Sequence, residues 1–570
     1  MLKEPKLKTL LELVQSSTPE ELIWINGYLS GIVANAARKE RMTGAAAMTA
    51  KKITLVYGTE TGNAKRLATQ LAAAGKKKGI AIKLSGLDQY RLTDLEKEEY
   101  FFVVVSTQGE GEPPVTAKKF YDHIHQQELS LSRMKYSVLA LGDSSYPFFC
   151  KTGEDVDVRL RALGAAPFIP SQKCDVDYEA DAEAWFEELL DRLQQEDAAA
   201  GEKPAKATGA KAPVREKKLY EGKILANINL NDRGSAKETW HIEIAADEPV
   251  EYLPGDALGV VPVNRKEVVD RILSLTRANG KDEVATARAT APLSVLLAQH
   301  LNICYLPAAI VKQYAAIANQ QIPDIRMDLE DLLRIYPLAD KEQFTDVVKL
   351  LTPIAPRLYS ISSSPVAHGD SEVHITVSRN SFLAEDEQRF GLCSEFLGDK
   401  PAGSVLNFYI HKNKNFRLPD DGSQDVIMIG PGTGIAPFRS FLSERNANGS
   451  DGRNWLFFGE QHFVTDFLYQ TEIQEYVQTG VLTRLSLAFS RDQEEKIYVQ
   501  HRMRQQAAAF FEWLEDGAAL YVCGAKEPMG RDVEEALLAI IQQQGRKTAE
   551  EAQQYIEELQ NEGRYHKDVY

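Results

Sequence analysis

Cysteine is scarce in this chain: five residues among 570, at positions 150, 174, 304, 393 and 523. No two stand closer than 24 residues apart, so no CxxC, zinc-knuckle spacing or four-cysteine iron–sulfur set can be assembled, and no metal is expected. Sparse, unpaired cysteine fits a reducing compartment. Long hydrophobic runs are missing too. The longest uncharged stretch, Leu22 to Ala37, is broken by Asn26, Ser30 and Asn35 and falls short of the ~18 apolar residues a membrane span requires. Met1-Leu2-Lys3-Glu4-Pro5 carries no signal-peptide pattern, and the expected location is cytoplasmic. Positive charge is in deficit as well: Lys+Arg 66 against Asp+Glu 82 gives a net charge of −16, which argues against nucleic acid as the main partner.

What is present describes an ordinary globular protein, 44% hydrophobic and 26% charged, long enough for three or four domains. In residues 1–50, Thr18-Pro19-Glu20-Glu21 has the form of a capping box with proline at the first helical position. Leu22, Ile25, Leu29, Ile32 and Ala36 follow at helical spacing. The segment reads either as a helix packed on its own protein or as an assembly helix. From Lys51 the period changes. Ile53–Tyr57, Phe101–Val105 and Ser137–Leu141 are short β-branched-rich runs, each ended by a glycine-containing turn and separated by helical stretches, as in a parallel sheet with crossover helices. A helix near Ala182–Leu193 closes this unit. Residues 197–216 contain almost no large apolar side chain and form a linker. Strand-like alternation over Leu219–Pro262 resumes at Arg357–Ser362 and His374–Ser378, so a helical insertion over 264–351 interrupts a β-domain. From Asp425 the chain is α/β again, with buried-strand runs at Val426–Ile429, Trp455–Phe458 and Leu520–Val522.

Six segments carry chemistry. Gly58-Thr59-Glu60-Thr61-Gly62-Asn63-Ala64 lies between a strand and a helix, where backbone N–H groups and the helix N-terminus attract phosphate. It lacks the lysine of a P-loop and suits a phosphomonoester surrounded by hydroxyls. Ser106-Thr107-Gln108-Gly109 and Leu141-Gly142-Asp143-Ser144-Ser145-Tyr146 leave the same sheet edge, where open doubly wound sheets bind ligands. Arg357-Leu358-Tyr359-Ser360 offers a guanidinium fork for pyrophosphate, a ring two residues along on the same strand face, and a hydroxyl. Gly430-Pro431-Gly432-Thr433-Gly434-Ile435-Ala436-Pro437 follows a buried strand and opens a helix. Its glycines permit close backbone approach to a pyrophosphate, although it is not GxGxxG. Ser490-Arg491 and, beyond it, Lys496, Tyr498 and Gln500 place two cations near a strand end, as a 2′-phosphate requires.

Together these motifs resemble the diflavin reductase family over residues 52–570. The resemblance implies a multidomain α/β chain: a flavodoxin-like doubly wound parallel sheet binding FMN (52–196), the linker (197–216), an antiparallel β-barrel FAD domain with a helical insertion (217–424), and an NADP-binding α/β domain (425–570). It implies that Tyr146 stacks on the FMN ring, with Gln108 where microsomal members place a second aromatic. Phe148, Phe149 and Cys150 complete that loop. It assigns Arg357 and Ser394, within Gly391-Leu392-Cys393-Ser394, to the FAD pyrophosphate, Tyr359 to the flavin ring, and Ser360 to its N5 side. Thr376, Val377 and Ser378 match the strand that touches flavin and ribose, and Phe382 stands in for an adenine-stacking tyrosine. Ser360, Cys523 and Asp568 resemble the trio lining the hydride-transfer site. Tyr570 resembles the terminal aromatic over the FAD ring, and Asp532 is a nucleotide contact. The STQGEGEPP and LGDSSYxFFC runs, DFLYQTE at Asp466–Glu472 and the terminal DVY point to the branch that passes electrons from NADPH through FAD and FMN to a sirohaem- and iron–sulfur-bearing beta subunit for sulfite reduction. The N-terminal segment then implies a homo-oligomer. The alternative is a soluble P450-reductase-like donor to another haem protein.

Overall fold

The computed structural model describes residues 52–60, 62–109, 111–143, 146, 148–175, 178–198, 218–286, 290–323, 325–384 and 387–570. The expected N-terminal helix and its capping box, the linker from residue 199, Thr61, Ser144 and Ser145 lie outside the described residues, as does the side chain of Phe382.

Three lobes follow one another. The first holds β1 (Ile53–Gly58), β2 (Ile82–Gly86), β3 (Tyr100–Ser106), β4 (Lys135–Leu141), β5 (Ala166–Pro167) and β6 (Gln172–Cys174). They form a parallel sheet in the order β2-β1-β3-β4-β5, with β6 also on β4. Alternate residues of each strand face opposite sides. Leu55, Phe102, Val104 and Leu139 therefore enter one core with Leu67, Leu71 and Trp185, while Val56, Phe101, Val103 and Val138 enter the other with Phe120 and Leu160. Helices Asn63–Lys77, Val115–Gln126, Lys151–Ala162 and Glu179–Ala198 supply those partners. The last runs beyond the Ala182–Leu193 expected from periodicity. Strand order reverses between β1 and β3, which opens a crevice at their carboxyl ends.

The second lobe contains β7 (Leu219–Asn229), β8 (Thr239–Ala246), β9 (Ala257–Val260), β12 (Arg357–Ser360), β13 (Glu372–Ser378) and β16 (Val405–His411). They pair antiparallel in the order β12-β9-β16-β7-β8-β13 over a core of Ile242, Ile244, Leu258, Ile375 and Phe408. A bridge between Ile361 and Ile375 brings the chain just after β12 alongside β13. The insertion carries its own core around Leu297, Tyr314, Leu332 and Phe344. It is not purely helical: β10 (Glu283–Ala285) and β11 (Thr290–Pro292) form a small antiparallel pair within it. Three-residue strands are too short to show a period. A second small pair, β14 (Ser381–Ala384) and β15 (Glu387–Phe390), follows β13.

The third lobe is a parallel sheet of β17 (Val426–Ile429), β18 (Asn454–Glu460), β19 (Arg484–Phe489), β20 (Ala519–Gly524) and β21 (Tyr565–Val569), ordered β19-β18-β17-β20-β21. The edge strand β21 was not expected, because Tyr-His-Lys-Asp-Val lacks the apolar run that marks the four inner strands. Among the described residues, no helix is long and apolar enough to cross a membrane.

Candidate reductase site

The first-lobe crevice is built from the loops after β1, β3 and β4. Gly62 lies at φ 91° with open space where a Cβ would stand, so its backbone is free to face a ligand. The Thr59 hydroxyl accepts from Gly62 N at 2.9 Å and thereby holds the turn. The Glu60 carboxylate accepts from Val115 N at 3.2 Å, and Asn63 accepts from Asn415 of the second lobe at 3.0 Å. Thr107 Oγ1 accepts from Thr152 N, Gln108 bridges to Glu112, and Gly109 lies at φ 50°. Ser106 Oγ is buried with no hydrogen-bond partner. An orphaned hydroxyl at a strand end, beside an open glycine turn, fits a polar cofactor such as FMN. Tyr146, Phe148 and Phe149 are half-buried. Burial raises the Tyr146 phenol, with the nearby Asp143 charge adding and Arg357 of the second lobe opposing. The side chains of Ala64, Leu141 and Cys150 are in the core, which leaves their backbones to face the crevice. Cys150 Sγ donates to Ala140 O at 3.3 Å and burial pushes its thiol up to about 12. A Cβ on Gly142 would stand 2.7 Å from Cys150 N, so this loop is packed from behind.

At β12, Arg357 is exposed and makes no ion pair among the described residues, which fits a pyrophosphate. Tyr359 is raised well above its ordinary value, by burial first and by its contact with Cys393 second. Burial pushes the Cys393 thiol itself up to about 11. Gly391 and Leu392 open helix Leu392–Gly398. The Ser394 hydroxyl accepts from Asn380 N at 3.2 Å and donates to Gly391 O at 3.0 Å, so it is already used in closing this turn. Thr376 Oγ1 lies 2.6 Å from Tyr469 OH on the third lobe, Val377 is in the second-lobe core, and Ser378 is exposed at the end of β13.

In the third lobe the Gly430–Pro437 turn is as tight as its glycines suggest. A Cβ on Gly434 would meet Cys523 O at 2.2 Å, and Gly432 lies at φ 60°. Thr433 Oγ1 and Tyr570 OH are 2.8 Å apart. Around the strand ends Ser490 is buried, while Arg491, Lys496 and Tyr498 are exposed. Neither cation has an ion-pair partner among the described residues. In a chain of net charge −16, two unpaired cations fit a phosphate dianion. Gln500 Nε2 donates to Asp532 Oδ2 at 3.2 Å, joining two residues assigned separately to the nucleotide. Lys237 of the second lobe was not singled out in the sequence. Its Nζ lies 2.7 and 2.8 Å from both oxygens of the buried Glu460, at the end of β18, and Glu460 Oε1 is 3.5 Å from where a Gly432 Cβ would stand.

The parallel register of β20 and β21 sets Cys523 opposite Asp568, and Ser360 reaches both from the end of β12. Ser360 Oγ donates to Asp568 Oδ2 at 3.3 Å and Cys523 Sγ lies 4.0 Å from the same oxygen. Burial holds the Cys523 thiol well above its ordinary value, with the Asp568 charge adding and Ser360 opposing. Burial likewise raises the Asp568 carboxyl, against the Ser360 hydrogen bond. A thiol and a hydroxyl that keep their protons, flanking a carboxyl, can donate to and orient a neutral ring without attacking it.

The second and third lobes meet through a buried polar network. On one face of the β8–β13 ladder lie His241, Glu243, Glu372 and His374, with His374 opposite Glu243. His241, Glu243 and His374 have the spacing of metal ligands, but their ring nitrogens are engaged and a guanidinium adjoins them. Arg439, which can only donate, lies 3.1 Å from His374 Nδ1. His374 is therefore the Nε2–H tautomer, donating to Glu372 at 2.7 Å. His241 Nε2 donates to Glu243 at 3.2 Å, and its Nδ1 accepts from Tyr469 OH at 3.0 Å. Burial, and then the Arg439 charge, lower His241 to about 4 and His374 to about 2. The first lobe also touches the others through polar pairs: Lys65 with Glu557 and Lys414 with Glu179, both exposed, and Lys526 with Glu60 and His411 with Asp143, which are partly buried.

Residues 55–188 match the flavodoxin family, 212–325 the FAD binding domain and 428–535 the oxidoreductase NAD-binding domain. Over its whole length the chain is 39% identical to the sulfite reductase (NADPH) flavoprotein alpha-component of Bacillus subtilis (strain 168), covering 98% of that protein. It is 38% identical to the component of the same name from Shewanella sp. (strain MR-4), again over all of this chain and 98% of the relative. The corresponding protein of Vibrio cholerae is 38% identical, over all of this chain and 96% of the relative. With flavodoxin, FAD-binding and NAD-binding domains matched in this order and relatives of this identity along its full length, the chain belongs to the family of NADPH-dependent sulfite reductase flavoprotein alpha-components.

Proposed function

We infer that this chain is the electron-delivering flavoprotein of an assimilatory sulfite reductase. It draws reducing equivalents from NADPH and passes them through FAD and then FMN to a haem-bearing beta subunit that reduces sulfite to sulfide. Residues 52–196 form the FMN domain, 217–424 the FAD domain, read as a barrel closed through Ile361 and Ile375, and 425–570 the NADP domain. The flavins, when bound, accept a hydride and release electrons singly, a conversion that side chains alone do not perform.

The protein's own part is placement. Arg491 and Lys496 select the 2′-phosphate, and the Gly432–Gly434 backbone receives the pyrophosphate, with Lys237 held beside it by Glu460. Ser360 and Cys523 keep their protons and orient the rings, while Asp568 fixes the Ser360 hydroxyl. Tyr570, tied to Thr433 by its hydroxyl, covers the site and excludes water until nicotinamide enters. Arg357 holds the FAD pyrophosphate on the side facing the FMN crevice, beside Tyr146. The linker lets the FMN domain leave for its acceptor. The N-terminal segment, outside the described residues, serves assembly. Unpaired cysteines suit a reducing cytoplasm.

The observation that carries this reading is the meeting of Ser360, Cys523 and Asp568 from two lobes at the end of the dinucleotide turn. The test is direct. Purified chain loaded with FAD and FMN is expected to oxidise NADPH with ferricyanide or cytochrome c as acceptor, and to reduce sulfite only when the haem subunit is added. A fully flavin-loaded preparation that leaves NADPH intact would refute it.

A further inference from the structure

One helix of the third lobe touches both halves of the proposed reaction centre. Ala436–Ala447 begins where the glycine turn ends, so its first turn is continuous with the backbone that receives the dinucleotide. The same helix grips Ser362, Ser363 and Ser364, the residues just after Ser360. Arg439 Nη1 donates to Ser362 O at 2.8 Å while its Nε and Nη2 fork onto Glu472 at 2.7 and 3.0 Å. One position on, Ser440 Oγ donates to Ser363 O at 2.6 Å. One turn further, Ser364 Oγ donates to Glu444 at 2.5 Å. The three serines are fully buried and Arg439 is 8% exposed.

A buried guanidinium is a poor way to buy mere cohesion, since apolar side chains of the same volume usually hold two surfaces together as well or better. What the planar fork adds is geometry. With two arms fixed on Glu472, the third can reach Ser362 O at one angle only. His374 Nδ1, accepting from the same Nη1, closes off the remaining freedom.

We propose that Arg439, supported by Ser440, is a positioning residue that sets the separation between the dinucleotide turn and Ser360 by clamping the 362–364 backbone to the helix which that turn opens. The inference rests on the NADPH-to-FAD reading above. Hydride transfer needs its reacting atoms held near contact distance, and a displacement of ~1 Å costs on the order of a hundredfold in rate. A clamp two residues from Ser360 controls a displacement of that size.

Arg439→Lys keeps the charge and loses the fork, and Ser440→Ala removes one hydroxyl. Both are tested as FAD- and FMN-loaded protein. Two measurements are made: hydrogen–deuterium exchange across residues 357–364 without nucleotide, and the first-order rate of FAD reduction per bound flavin at saturating NADPH. For Arg439→Lys the expected result is faster exchange at 361–364 and FAD reduction roughly tenfold slower or more. Flavin content and the NADPH concentration for half-maximal rate should stay within twofold. Ser440→Ala should show the same pattern at severalfold, and it carries the test alone if Arg439→Lys fails to fold. A purely structural role would lower flavin content while each loaded molecule reacted at the wild-type rate, and that result overturns the proposal. So does unchanged exchange in both variants. If wild-type FAD stays oxidised with NADPH, the functional reading fails instead, and the exchange data still decide whether the clamp exists.

Discussion

Acid is expected to loosen the joint between the second and third lobes, and the structure sets the size of the effect. His241 and His374 are 5% and 2% exposed. The groups around them are Glu243 and Thr376 on their own strands, Glu372, His368, Tyr469, and the Arg439–Glu472 pair on the third lobe. The folded protein holds the two rings at about 4 and about 2, whereas in the unfolded chain each titrates near ~6.5. Above pH ~6.5 both states are neutral, so the pair leaves stability independent of pH. Below it the unfolded chain takes up protons that the folded one refuses, and stability falls with pH until the folded values are reached. At pH 5 the loss is about 2 kcal/mol per histidine, or about 4 kcal/mol for the pair, and at pH 6 about 0.8 kcal/mol each. Urea titrations of holoprotein at pH 7.5, 6 and 5, followed by the fluorescence of released FAD, should report the drop. His374→Gln is expected to start less stable at pH 7.5 and to lose about half as much on acidification. If wild type and variant fall in parallel between pH 6.5 and 5, these histidines are not the cause and the reasoning fails.

Three further outcomes are expected. Arg491→Ala should raise the KM for NADPH by roughly thirtyfold, the value of one charge-assisted hydrogen bond of ~2 kcal/mol, and leave the KM for NADH unchanged; equal shifts for both would remove Arg491 from the 2′-phosphate. Gly434→Ala puts a Cβ 2.2 Å from the Cys523 carbonyl and should destabilise the third lobe by ~1–3 kcal/mol while abolishing NADP+ binding, read by calorimetric melting and titration. Raising salt from about 0.05 to ~1 M should enlarge the radius of gyration in X-ray scattering, because the first lobe is tied to its neighbours by the ion pairs Lys65–Glu557, Lys414–Glu179 and Lys526–Glu60, the first two of them solvent-exposed; an unchanged radius would mean that something other than charge holds the lobe.

The parts of the site that could be read in the sequence are contiguous. Thr59 to Ala64, Arg357 to Ser360 and Gly430 to Pro437 each place a turn, a strand end or a helix start within eight residues, so local chemistry suffices to recognise them. Lys237 and Glu460 lie 223 residues apart, and neither looks unusual beside its neighbours. β21 hides for a related reason: an edge strand half open to solvent needs no apolar run, and Asp568 acquires its meaning only from lying opposite Cys523. Thr376 is the reverse case. It lies on the expected strand, but its hydroxyl is directed to Tyr469, a choice fixed by which face of β13 meets the third lobe. Cys150 and Ala64 sit beside the binding loops with their side chains packed inward, a direction set by the core that no local motif displays.

The two apolar cores of the first lobe are complete within residues 53–193, with no side chain drawn from elsewhere among the described residues. A unit whose interior is self-sufficient, and whose ion pairs with its neighbours link polar groups rather than a shared apolar core, is portable. Its coding segment can be swapped between relatives, grafted onto a foreign redox protein or expressed as a separate piece. What such a transplant forfeits is the high effective concentration that a tether confers, not the integrity of the unit itself.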